Sequence, residues 1–220
     1  MSDLAFSDRD NFVRNMVTVR SGPFVGSELA ARRLETVGPM PLTVDDMAED
    51  LRVDEPDDER TTLERMMMGA ARFIERRTAY VIVPTRYEVA LSSFGLIPHW
   101  FSVHRGPFRE LESVEYLTAK DTWATVAALN YWTQQRDRDL VVNLISTFDP
   151  PDIWEEAREG GIRVRFTAGF DDDSGDLPID EGVVSLWVMV TGHFYKNREL
   201  PLDKVEAGAT TLLGSYRTFW

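Results

Sequence analysis

The apolar residues of this chain change their repeat twice, and those two changes limit the folds open to it. Up to Thr78 they recur every three or four residues, the spacing of helices that bury one face. From Tyr80 they shift towards alternation, the spacing of half-buried strands, and after Pro178 the helical repeat returns. The strand-like runs follow one another too closely for helices to lie between them, so the sheet they form should be antiparallel. The expected class is α+β. It consists of a helical body, with two N-terminal helices and a long C-terminal helix, an inserted antiparallel β-subdomain and an extended C-terminal tail.

Particular residues set the boundaries. Residues 1–38 form a leader with two short helical signals, Phe12, Val13, Met16 and Val17, then Leu29, Ala30, Leu34 and Val37. Gly38-Pro39-Met40-Pro41 ends it. The body, 39–198, opens with a helix over about 43–54, capped by Thr43 with Asp45 and Asp46 in its first turn. Val44, Met47, Ala48 and Leu51 supply its apolar stripe. An acidic turn, Asp54 to Glu59, leads to a second helix over about 58–77, with Leu63, Met67, Ala70 and Ile74 on one face. The β-subdomain covers about 80–170. Its strands are read at Tyr80–Val83, around Tyr87, Val89 and Leu91, at Val114 and Tyr116, at 140–145 and at 162–166. The turns are Arg105-Gly106-Pro107, Lys120-Asp121, Asp149-Pro150-Pro151 and Gly160-Gly161. A last helix over about 179–198 carries Val183, Trp187, Val190 and Phe194 on one face, with Lys196 and Arg198 in its final turn.

Composition excludes several kinds of chemistry. Cysteine is absent, so disulfides, thiolate metal sites and a cysteine nucleophile are excluded. The three histidines, His99, His104 and His193, lack zinc-protease spacing and read as surface or core-edge residues. The run Asp171 to Asp176 fails the EF-hand template and reads as a solvated turn. There is no nucleophile elbow, Walker loop or dinucleotide fingerprint. No catalytic residue, metal site or cofactor is expected. With 37 acidic and 24 basic residues the formal charge is −13, the wrong sign for gripping phosphates or an anionic membrane. No apolar run reaches the roughly eighteen residues that a membrane span needs. The expectation is a soluble, cytoplasmically made, non-enzymatic assembly subunit.

The tail, 199–220, shows no firm period yet ends in Leu212, Leu213, Tyr216, Arg217, Phe219 and Trp220. Leucines, aromatics and arginine at a chain end either pack back on their own body or dock on another protein, and composition leaves both open.

Four phrases in order carry a resemblance. They are Leu42-Thr43-Val44-Asp45-Asp46 with the following helix through Ala70-Ala71-Arg72-Phe73-Ile74-Glu75, and Arg105-Gly106-Pro107-Phe108 with Val114-Glu115-Tyr116. The third runs from Ile162 to Phe170, then Pro178 and a helix ending in His193 to Glu199; the fourth is Leu212 to Arg217. Over about residues 42–217 the chain resembles the head–tail connector (adaptor) proteins of tailed phages and gene transfer agents. Each phrase is a structural pattern; the specificity lies in their order. The leader and the segment Trp123–Arg138 fall outside the pattern.

The resemblance implies a homo-oligomeric ring of roughly twelve subunits in the virion neck, between the portal and the stopper or tail-completion proteins. DNA would leave the head through its middle without sequence-specific binding, and the subunit would be made in the host cytoplasm. Under it, Leu212, Leu213, Tyr216 and Arg217 would dock on the portal with Phe219 and Trp220 as anchors, and removing 209–220 would abolish docking while sparing the fold. Asp54, Glu55, Asp57, Asp58 and Glu59 are the candidates to face the channel, where negative charge repels phosphates. The alternatives are a stopper or tail-terminator ring and, from another class, a small hydrolase or metal-binding domain.

Overall fold

A computed structural model describes residues 31–53, 56–91, 94, 100–136, 139–149, 151–155, 160–171, 175–199 and 202–216. These residues are mixed α and β. They divide into two compact units, one formed by residues up to Leu34, 87–104 and 110–166, the other by 35–86, 105–109 and the chain from Thr167. Strands outnumber helices, eight to four among the described residues, and the expected helical body with an inserted β-subdomain is not confirmed.

Strands β1 (Ala31–Thr36), β2 (Thr85–Leu91), β4 (Phe108–Ala119), β5 (Thr122–Thr125) and β8 (Ile162–Ala168) form a sheet in the order β1-β2-β8-β4-β5. Strands β3 (Trp100–His104), β6 (Tyr131–Arg136) and β7 (Asp139–Leu144) form a second sheet, β3-β7-β6, antiparallel at both pairings. In β8 the alternation is clean: Ile162, Val164 and Phe166 are buried while Arg163 and Arg165 face outwards. The turn at Lys120-Asp121 closes the antiparallel β4–β5 pair, with Asp121 at φ 58°. Tyr87 and Phe166 stack at 5.6 Å, and Phe94 meets Tyr116 and Phe148 edge-on.

The outward face of the larger sheet carries a charge ladder across all five strands. Glu88 of β2 accepts from Arg32 of β1 and from Arg165 of β8, at 2.9 and 3.0 Å. Glu115 of β4 accepts from Arg163 of β8, whose guanidinium lies 4.0 Å over the Trp123 ring of β5. Alternating signs on neighbouring strands penalise a one-residue slip, which would carry every charge to the apolar face.

The second unit holds helices α1 (Val44–Leu51), α2 (Pro56–Thr78), α3 (Glu181–Lys196) and α4 (Leu202–Tyr216). Thr43 caps α1 through a capping box with Asp46, and Pro56 sits at the first position of α2, where its missing N–H costs nothing. Asp180 caps α3, which stops at Lys196 with Asn197 as its C-cap, so Arg198 lies past the helix. Met47, Leu63, Met67, Ile74, Trp187 and Val190 are fully buried in one core. The Trp187 Nε1–H donates to the Met67 carbonyl at 3.0 Å, which satisfies the one polar atom that a buried indole carries.

Three local expectations are corrected. Residues 31–36 form a strand, although Leu34 and Val37 had suggested a helix. Tyr80 to Val83 is buried but is no strand: Tyr80 makes one bridge to Gly106, and Ala79 precedes it at φ 62°. An apolar run of four fits a buried connection as well as a strand. The tail is not extended, since 202–216 is helix α4, with Ala209 and Leu213 in the helical core. Its apolar residues Leu202, Val205, Ala209, Leu213 and Tyr216 do follow a helical step. Gly208, Thr210 and Thr211, poor helix formers, mask it.

Candidate functional site

The residues expected to dock on a portal fall into three groups. Leu213 is 3% exposed and belongs to the subunit's own core. Leu212 and Tyr216 lie in α4, on the helix that brings Leu213 inwards. Arg217, Phe219 and Trp220 lie outside the described residues. Helix α4 is held by two further contacts: Arg76 of α2 pairs with Glu206 at 3.0 Å, and Gly208 lies against His193 of α3. A Cβ at Gly208 would stand 2.5 Å from the His193 ring, so glycine is what permits this approach of α3 and α4. His193 therefore serves packing, and His99 lies outside the described residues.

The acidic candidates also separate. Asp54 and Glu55 lie outside the described residues; Asp57 and Asp58 are in the first turn of α2, and Asp58 is exposed. Glu59 is not a free solvated charge. Arg198 donates to both its carboxylate oxygens, at 2.7 and 3.2 Å, and the Tyr195 hydroxyl donates to the same group. The Arg198 guanidinium also covers the Tyr195 ring at 4.9 Å. The bonds from Arg198, then from Tyr195, hold the Glu59 carboxyl below its usual range. The same carboxylate pushes the Tyr195 hydroxyl up. Asp45 is likewise held low by its bonds to Arg60, at 2.6 and 3.1 Å.

Chemically this cluster is a clasp between the start of α2 and the end of α3. It lacks the paired carboxyls with opposed environments that hydrolysis uses. Beside it, Tyr195 to Glu199 line an open depression of about 450 Å³. Asp171 is engaged by Arg109 and accepts from the Leu177 N–H at 3.2 Å, closing its loop on itself. Among the described residues no group of three or more His, Asp or Glu could hold a metal ion. No helix among them is long and apolar enough to cross a membrane.

A five-stranded sheet, a three-stranded sheet and four helices around a buried tryptophan make a fold seen in solved assemblies. Chains of gene transfer agent particles share it. A chain from the neck of an empty particle, computed with C6 symmetry, superposes with a TM-score of 0.61 at 18% identity, covering 76% of this chain and 83% of that one. One from the virion of a native particle gives 0.62 at 16%, covering 76% and 84%. A third, from the neck of a native particle computed with C12 symmetry, gives 0.55 at 18%, covering 74% and 82%. At these identities the likeness is one of fold. No protein-family model matches the sequence, and no curated protein matches it.

Proposed function

We propose that this chain is a structural subunit of the neck of a tailed, phage-like particle, an adaptor that forms a ring between the portal and the stopper or tail-completion proteins. The observation that carries the reading is the fold shared, over three-quarters of the chain, with chains of gene transfer agent necks. The charge of −13 suits a wall past which DNA must slide, since acidic surfaces repel phosphates. In this reading the acidic stretch Asp54 to Glu59 faces the DNA path. Glu59 is tied back by Arg198 and Tyr195, and Asp57 and Asp58 supply the field. Leu213 serves the subunit's own core, and Leu212, Tyr216, Arg217, Phe219 and Trp220 make the portal contact.

The reading is tested by deleting the gene in a producing strain. Filled heads and separate tails that fail to join, with DNA leaking from the heads, are the expected result. Tailed particles at normal yield would overturn it.

A further inference from the structure

We propose that the edge formed by β5, the following short turn and β6, uncharged as far as Arg136 at its end, is the surface on which a second copy of this chain docks. The inference rests on the ring reading and names the face through which the ring closes.

Thr122 to Gln135 contains no charged residue and no histidine. At the chain's average of 28% charged, a stretch of this length would carry about four. Apart from Val126, the stretch is exposed or half-buried. Leu129, in a single 3-10 turn, is 77% exposed and Trp132, in β6, is 53% exposed, while Thr125, Ala127, Ala128, Thr133 and Gln135 are exposed as well. It also supplies an outer strand to each sheet: β5 closes the order β1-β2-β8-β4-β5, and β6 closes β3-β7-β6.

Outer strands invite pairing with other chains, and proteins ordinarily blunt them with charge. The opposite edge of the larger sheet follows that rule, since β1 carries Arg32, Arg33 and Glu35 in six residues. The edge at 122–135 carries an exposed leucine and an exposed tryptophan in place of charge. Trp is the residue that most often anchors an interface.

Charge also selects the occupant. A basic partner would be drawn to the acidic surface elsewhere on the molecule. Another copy carries the same −13, and a like-charged partner is best met where no charge stands. The solved chains that share the fold belong to necks computed with C6 and C12 symmetry, assemblies in which one surface of each subunit meets a different surface of the next, repeated around the ring.

The test is sedimentation equilibrium and native mass spectrometry of the full chain, at concentrations up to about 0.5 mM, where weak association registers. Wild type is compared with Leu129→Glu/Trp132→Glu and, as a control, Glu110→Lys on another exposed position. The inference expects wild type and control to self-associate. The double variant, with unchanged circular dichroism and melting temperature, should associate at least about thirtyfold more weakly. Equal association of the double variant overturns the surface while leaving a ring through another face. A wild type that stays monomeric throughout overturns the inference. Neither result touches the neck reading, which stands or falls on the gene deletion.

Discussion

Replacing Leu213 with alanine should weaken the fold itself, because the structure makes it a core residue of α4. Leu213 is 3% exposed in the cluster that holds Trp187, Met67 and Phe194. Buried Leu→Ala changes cost about 2–5 kcal/mol, the larger values where the surroundings cannot collapse into the space. Leu213 lies in the last turn of a helix whose described end is Tyr216, where some relaxation is available, so about 2–3 kcal/mol is expected. For a chain of this size that lowers the melting temperature by roughly 5–10 °C. Urea unfolding followed by tryptophan fluorescence is the assay, since Trp187 sits in the same core. Thr211→Ala is the reference: Thr211 is exposed and its hydroxyl bonds only within the helix, to the Ala207 carbonyl at 3.2 Å, so a change within about 0.5 kcal/mol is expected. By the same argument, removal of 209–220 takes Ala209 and Leu213 from the core and unfolds this unit. The truncation 209–220 therefore does not spare the fold, whereas a cut after Tyr216 removes Arg217, Phe219 and Trp220 and leaves Ala209 and Leu213 in the core. A Leu213→Ala protein with the wild-type urea midpoint would refute the placement of α4 in the core.

Other outcomes follow from single contacts. Trp187→Phe removes a buried indole and its bond to the Met67 carbonyl, at a cost of about 2–3 kcal/mol by urea unfolding. Gly169→Ala places a Cβ 2.6 Å from the Pro84 Cα at φ 131°, and should cost about 3 kcal/mol or more, read as loss of soluble protein at 37 °C. Asp45 and Glu59 have folded pKa values below their ordinary 3.8 and 4.5. The stability they add is therefore present above those values and fades as pH falls below about 4.5. Asp45→Asn/Glu59→Gln should lose less stability than wild type between pH 6 and pH 3 in denaturant titrations, and parallel losses would sink this assignment. Tyr195, pushed up by the Glu59 carboxylate and by burial, should titrate later than free tyrosine in an alkaline ultraviolet titration, and earlier in Glu59→Gln than in wild type.

Elements with one buried face and one wet face were legible in the sequence. The stripes Val44-Met47-Ala48-Leu51, Leu63-Met67-Ala70-Ile74 and Val183-Trp187-Val190-Phe194 are helices because only a 3.6-residue repeat buries them together. The alternation of β8 was equally clear. The edges were not. Strands β5 and β6 lie in a stretch with no period and, up to Arg136, no charge, and β1 carries polar residues on both faces. Helix α4 escaped because its propensity is low and tertiary packing supplies what propensity does not. The clasp of Glu59, Tyr195 and Arg198 joins residues more than 130 positions apart, which no local pattern encodes. Within the acidic run, sequence reasoning saw five equivalent carboxylates, whereas the fold gives Glu59 two partners and leaves Asp58 exposed.

The most direct test of the neck reading is quantitative mass spectrometry of purified tailed particles from a producing strain, with the portal as internal reference. A ring matched to the portal predicts a ratio near one to one. Absence of the chain from intact particles would contradict the account.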